Sequence, residues 1–251
     1  MKFIHLTDTH VIGEGELYGQ DPAARLRAAV ASINAEHSDA AFVALTGDMT
    51  HWGDTAAYVR FSREIKELDM PLHLIVGNHD DTASFGVAFP EIPRDESGFV
   101  QSGFETQFGR FLLLDTKNPE THAGAYCPAR QVWLTRELDQ TNGPVVLFMH
   151  HPPFKTGIAS MDRIMLQDAE AFYDIVAPPQ GAHPASVLRS CASRHFWQLA
   201  GHQLFLHARP KPSGRFGAEW GRRSNCCEFR TSGLQCGDVE RRSGHGSFSR
   251  F

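Results

Sequence analysis

Phe3-Ile4-His5-Leu6-Thr7-Asp8-Thr9-His10 sets a short apolar stretch directly before an Asp-x-His triplet. The same succession returns three times. Ala41–Leu45 leads to Gly47-Asp48, Leu72–Val76 to Gly77-Asn78-His79-Asp80, and Val145–Met149 to His150-His151. Short apolar runs bounded by turn residues read as buried strands. Open α/β sheets build their sites on the loops at strand C-terminal ends, so four polar motifs in this position point to one shared site.

Helical signals fill the intervals. Asp21-Pro22 pairs an N-cap with a proline at the first helical position, and Leu26, Ala29, Val30 and Ile33 then recur at helical spacing. Asp54 is placed to cap a second helix carrying Tyr58, Phe61 and Ile65. A third begins near Pro128 and carries Val132, Leu134 and Leu138, and Asp168–Val176 reads as a fourth. Phe111–Leu114 adds a strand, and residues 98–115 read as two or three antiparallel strands with Gly103 and Gly109 at turns. Alternation of this kind predicts an α/β layered domain over residues 1–178. Past Pro178-Pro179 the pattern ends. Residues 180–251 show no sustained period and hold four of the five cysteines, so residues 179–251 are expected to be an aberrant, poorly ordered tail without the strands a sheet protein should continue.

The 251 residues suffice for a substantial core, and 41% hydrophobic with 21% charged residues is ordinary for a globular protein. There is no apolar run near 18 residues, which excludes a helical membrane span. The chain enters a strand-like KFIHL at once with no basic and then apolar leader, so a cytoplasmic location is the expectation. Cys127, Cys191, Cys226, Cys227 and Cys236 form no disulfide or zinc spacing. The net charge of −5 conceals an asymmetry: residues 189–251 hold 11 of the 24 Lys+Arg and 4 of the 29 Asp+Glu. A basic arm of this kind could bind nucleic acid. The motif-bearing part is net acidic, however, which argues against a nucleic-acid substrate.

The motif residues suit two divalent metal ions. One carboxylate can hold two cations roughly 3.5–4 Å apart, and Asp48 is the candidate bridge. Asp8 and His10 share a loop and can face a first metal, while Asn78 offers an amide oxygen and His150 an imidazole to a second. Such a pair would acidify a shared water into a bridging hydroxide nucleophile. His79 can then serve the leaving oxygen as the catalytic acid, with Asp80 as its orienting catalytic partner. Asn78 and His79 are also the expected substrate-binding residues. His151-Pro152-Pro153 is assigned to a rigid loop, Trp52, Trp133 and Phe154 to packing, and His5, His37, His51, His73 and His122 to ordinary structural roles.

On these residues the chain resembles the calcineurin-like metallophosphoesterases, whose pattern runs D-x-H, G-D, G-N-H-[DE], a histidine, then G-H-x-H. More narrowly, DTH, GNHDD and MHHPPF look like the class III cyclic-nucleotide phosphodiesterases and related glycerophosphodiesterases. The match covers about residues 1–178. The resemblance implies a four-layer α/β/β/α sandwich with a dinuclear Fe, Mn or Zn centre, and oxygen and nitrogen ligands accept Co as well. It assigns Asp8, His10 and Asp48 to one metal, Asp48, Asn78 and His150 to the other, and His79 to the leaving group. The departure is the closing motif: Gly201-His202 is followed by Gln203-Leu204, and His207 stands five residues beyond His202. Regrouping the codons of residues 187–217 by one base permits G-H-x-H around Arg189–Ser193 and turns Trp197 into glycine, so the tail reads as out of frame.

The expectation is a metal-dependent phosphodiesterase acting on small diesters, with 3′,5′-cyclic nucleotides ahead of glycerophosphodiesters or a broad phosphoesterase range. The rival of another class is an inactive pseudoenzyme lacking the G-H-x-H ligands. With one imidazole missing per metal, the chain as written is expected to be weakly active and poorly stable. A homo-oligomer stays open.

Overall fold

The structure is a computed structural model that describes residues 1–176 in full and, beyond them, the backbone of five strands. The first sheet is built from β1 (Lys2–Leu6), β2 (Val43–Thr46) and β3 (Leu72–Ile75), all parallel. Helices α1 (Pro22–Glu36) and α2 (Thr55–Ile65) make its crossovers. Both start where their caps require. Asp21 accepts from the Ala23 and Ala24 amides ahead of Pro22, and Asp54 accepts from the Ala57 amide. Helix α3 (Thr82–Ala88), capped by Asp81, follows β3 and was not anticipated from periodicity; seven residues are too few to establish a helical repeat.

The second sheet contains β4 (Ser102–Glu105) antiparallel to β5 (Arg110–Leu114), and β6 (Val145–Met149) parallel to β5. Gly109 occupies the hairpin turn at φ +152°, as expected. Gly103 does not turn the chain. It pairs with Leu112 within β4, where a Cβ would lie 2.6 Å from the Leu112 side chain. Helix α4 (Pro128–Asp139) buries Trp133 and Leu134 but leaves Val132 exposed, so Val132 is not on the core face. The short α5 (Ala159–Asp162) and α6 (Ala169–Val176) complete the fully described part.

Three buried clusters account for the layers. Phe3, Phe42, Ile75, Phe111, Val146 and Phe148 meet between the sheets, with Phe3 stacked on Phe42 and edge-on to Phe111 and Phe148. Leu26, Val30, Ile33, Tyr58, Phe61 and Phe85 seal the outer face of the first sheet. Trp133, Leu134, Phe172 and Val176 seal the outer face of the second. The result is the α/β/β/α sandwich that the family resemblance implied.

The expectation that no strands follow residue 179 is corrected. Strand β7 (Ser186–Ser193) pairs parallel with β6, then with β9 (His202–Ala208), which β8 (His195–Leu199) flanks. Strand β10 (Asn225–Arg230) pairs antiparallel with β1 and with β11 (Gly233–Asp238). The sheet orders are therefore β11-β10-β1-β2-β3 and β4-β5-β6-β7-β9-β8. Without these strands β1 and β6 would each be a sheet edge. An open edge presents backbone donors and acceptors that any extended chain can satisfy, so pairing does not require side-chain periodicity.

Candidate metal centre

Four loops leave the C-terminal ends of β1, β2, β3 and β6. The first two stay zipped beyond their strands: the Asp8 amide donates to Gly47 O at 3.1 Å, His10 to Asp48 O at 2.9 Å and Val11 to Met49 O at 2.9 Å. The backbone departs from ordinary conformations there. Asp8, His10 and Asp48 have φ of +55°, +46° and +53°. Asp and His tolerate the left-handed region better than bulky residues, yet three such residues in one site represent strain of about 1 kcal/mol or more each. Strain of this kind clusters where a loop must aim a side chain.

Two glycines allow the loops to touch. At Gly47, φ +97°, a Cβ would lie 2.6 Å from His150 Nδ1 and 2.8 Å from Gly77 Cα. At Gly77 a Cβ would collide with Asp48 Oδ1 and with the Asp48 amide. Any side chain here would push the two loops apart.

Asp48 lies at the centre, 3% exposed. Its Oδ2 is 3.7 Å from His10 Nε2, which is 3.8 Å from Asp8 Oδ1. Its Oδ1 is 3.5 Å from His150 Nε2, which is 3.1 Å from Asn78 Oδ1. The two carboxylate oxygens thus face two separate sets of donors. Tetrahedral ligand atoms at 2.0–2.2 Å from one cation stand about 3.3–3.6 Å apart. The His150 side, at 3.5 and 3.1 Å, is that close, and the His10 side, at 3.7 and 3.8 Å, is a few tenths of an ångström wider, within reach of small side-chain movements. Oxygen and imidazole donors in this mixture accept Fe, Mn, Zn or Co. The residues present fit two metal ions.

Partners fix each donor's orientation. His150 Nδ1 is 2.8 Å from Thr46 O, so Nδ1 carries a proton and Nε2 is the nitrogen turned to the site, where a cation would displace its proton. Asn78 Nδ2 donates to His122 Nδ1 at 2.9 Å, which turns Oδ1 inward. Lys117 Nζ donates to Asn78 O at 3.3 Å and brings a cation to the rim. Burial opposes a charge on Asp48, but the imidazoles of His150, His10 and His79 hold its carboxyl below the usual range. Burial likewise opposes a charged His150, and the facing Asp48 carboxylate outweighs it, raising His150 to about 9.

His79 sits beside these donors. Its amide donates to Asp48 Oδ1 at 2.9 Å, and its Nδ1 donates to His51 O at 2.9 Å, leaving Nε2 toward the site. The orienting partner of the His79 ring is therefore the His51 carbonyl. Asp80 has a different setting. Its buried carboxylate accepts from the amides of Gly77 at 2.9 Å, Thr50 at 3.1 Å and Met49 at 3.2 Å, and from Tyr58 Oη at 3.0 Å. It ties the second loop to the third. Burial, with Asp48 nearby, pushes its carboxyl up.

Two residues assigned to structural roles, His51 and His122, touch the candidate donors, and a third, Trp52, is not a packing residue. His51 Nδ1 is 3.3 Å from His10 Nδ1, and its ring stacks on His79 at 5.0 Å. His10, His51 and His79 form a second cluster able to hold a metal, beside Asp8, His10 and Asp48, with ligand atoms within 4.8 Å in each. His122 orients Asn78, as above. Trp52 is 71% exposed, which corrects its assignment to packing. By contrast Trp133 is buried, and His151 is buried with Nδ1 2.8 Å from Thr116 Oγ1. His51 stands three residues after Asp48, a spacing that could have signalled it; nothing local marks His122. His202 and His207 fall on β9, and their side chains lie outside the described residues.

Residues 1–177 match the calcineurin-like phosphoesterase family, and the chain belongs to it. Within the family it is 44% identical over 182 residues to a probable cyclic nucleotide phosphodiesterase of Rhodopseudomonas palustris, covering 70% of this chain and 66% of that protein. It is 32% identical over 171 residues to a probable glycerophosphodiester phosphodiesterase, GpdQ, of Arcobacter nitrofigilis, covering 66% of this chain and 63% of the relative. The chain thus spans just under two thirds of both relatives. Among solved structures, the Thermus thermophilus protein TT1561 shares the fold at TM-score 0.59 and 14% identity, over 95% of this chain and 99% of that one. A purple acid phosphatase of yellow lupin does so at 0.58 and 11%, over 90% and 48%. No helix among the described residues is long and apolar enough to cross a membrane.

Proposed function

We propose that this chain is a metal-dependent phosphodiesterase of small diesters, with 3′,5′-cyclic nucleotides ahead of glycerophosphodiesters. The observation that carries the reading is the division of Asp48: one oxygen toward Asp8 and His10, the other toward His150 and Asn78. Asp8, His10 and Asp48 would hold one cation, and Asp48, Asn78 and His150 the other. Two divalent cations supply charge for the phosphoryl oxygens and acidify water at neutral pH. His79, with Nδ1 held by the His51 carbonyl, would act as its imidazolium and give the Nε2 proton to the leaving alkoxide oxygen, becoming the neutral imidazole. Lys117 adds positive charge at the rim. The cyclic-nucleotide preference is supported by the named activity of the 44% identical relative.

The manganese-loaded chain should hydrolyse bis(p-nitrophenyl) phosphate and cyclic AMP, with both activities lost in Asp48→Asn. Metal uptake without turnover would sink the catalytic reading. A second reading has its own support, since residues 179–251 contain no G-H-x-H. In it the chain binds metal weakly and turns over slowly because each cation lacks one imidazole. We further propose that this tail is read out of frame. The family match ends at residue 177, beside the Pro178-Pro179 break in periodicity. Coding DNA that, regrouped by one base from near Pro178, fails to encode G-H-x-H would dispose of the frame proposal.

A further inference from the structure

Among the described residues the exposed large apolar side chains are Tyr18, Trp52, Val59, Val87 and Val132. The three valines stand singly on α2, α3 and α4 and need no explanation. The two aromatic residues meet on one ring. Tyr18 lies edge-on to His51 with centroids 6.3 Å apart, and Trp52 lies edge-on to His51 at 4.1 Å. His51 in turn contacts His10 at 5.2 Å and His79 at 5.0 Å. An exposed aromatic pair therefore abuts the candidate phosphoester site.

The chain accepts strain to present Tyr18. Leu17 and Gln20 exchange backbone hydrogen bonds of 2.8 and 3.2 Å around a two-residue turn. Tyr18 and Gly19 fill it at φ +53° and +74°, the conformation of a type I′ turn. That turn favours Asn, Asp or Gly at its first central position, and a tyrosine there is a strained choice. Its ring is nonetheless 69% exposed. A tyrosine held in this conformation on an exposed turn beside the candidate site motivates a functional role.

We propose that Tyr18 and Trp52 form an aromatic subsite that takes the nucleobase of a nucleotide whose phosphate lies at Asp48 and His150. This rests on the phosphoesterase reading and deepens it, because a planar base gains from stacking on exposed rings whereas a glycerol moiety does not. Lys117 and the imidazoles meet the phosphate, and the aromatic pair meets the base. The subsite discriminates nucleotides from glycerophosphodiesters at the same metal centre.

Equilibrium binding tests this without requiring turnover. In manganese(II) buffer, the full chain should bind adenosine 5′-monophosphate at least about fivefold more tightly than ribose 5-phosphate, read by tryptophan quenching and calorimetry. Trp52→Ala should abolish that preference while leaving ribose 5-phosphate affinity within about twofold. Tyr18→Gly should weaken the preference yet raise the thermal midpoint, because glycine relieves the left-handed strain. A merely structural tyrosine would not show that opposition. Equal binding of the two ligands by the native chain, or a preference that survives Trp52→Ala, overturns the subsite and leaves the phosphoesterase reading standing. Adenosine bound through Trp52 without any binding of ribose 5-phosphate supports the subsite and removes the phosphoesterase reading. Binding of none of the three overturns both, leaving the aromatic pair to contacts with another protein.

Discussion

The first sheet offers Asp8, His10, Asp48, Asn78 and His79 from three successive loops, whereas the fully described part of the second offers one candidate ligand, His150, with Lys117 and His122 of the loop after β5 touching Asn78. The difference is one of redundancy. The loops after β1, β2 and β3 are joined by backbone hydrogen bonds and by the Asp80 carboxylate, so each is held by its neighbours. His150 reaches across the joint between the sheets and depends on the Thr46 carbonyl and on Gly47 and Gly77 lacking side chains. The site is thus cross-braced on one side and has a single candidate ligand on the other.

Mutations can sharpen that contrast. His150→Ala should have the largest effect on chemistry, reducing phosphodiester turnover by roughly 10²–10³-fold in steady-state assays while the protein keeps one tightly held metal. Equal loss of both metals would mean the sides are not independent. Asp80→Ala strikes the cross-braced side through stability, stranding the Gly77, Thr50 and Met49 amides, and should cost about 3 kcal/mol in denaturant unfolding. His122→Ala frees the Asn78 amide and should weaken metal binding about 10–100-fold, again at the His150 side.

The smallest effect belongs to the helical layer over the first sheet. Arg27 forks onto Glu64 with two contacts of 2.6 Å, joining α1 to α2. The Arg27 bond, assisted by Arg63, holds the Glu64 carboxyl below its usual range. A depressed carboxyl adds stability at neutral pH that is lost as pH falls through its folded-state value. Arg27 is largely exposed, so Glu64→Gln should cost about 1 kcal/mol or less at pH 7 and nothing measurable at a pH low enough to protonate Glu64 in the native protein. Unfolding curves at neutral and acidic pH check this.

The strand-then-motif succession was legible because burial demands apolar runs and loops after strands must carry the polar groups. The caps at Asp21 and Asp54 were legible for the same local reason. The environment of each donor was not. His122 reaches Asn78 from a loop 44 positions away, and His51 resembles any polar residue ahead of a helix. Asp80 was misjudged because its neighbour in sequence is His79, while its partners come from the second loop and α2. The later strands were missed because backbone pairing on the edges of β1 and β6 leaves no side-chain period to read.

The central claim is that Asp48 shares its two oxygens between two cations. Electron paramagnetic resonance of the chain titrated with manganese(II) tests it directly. The account predicts a spin-coupled manganese pair in the native protein, replaced in Asp48→Asn by an uncoupled ion or by none. A single uncoupled ion in the native protein, or coupling that survives in Asp48→Asn, would contradict it.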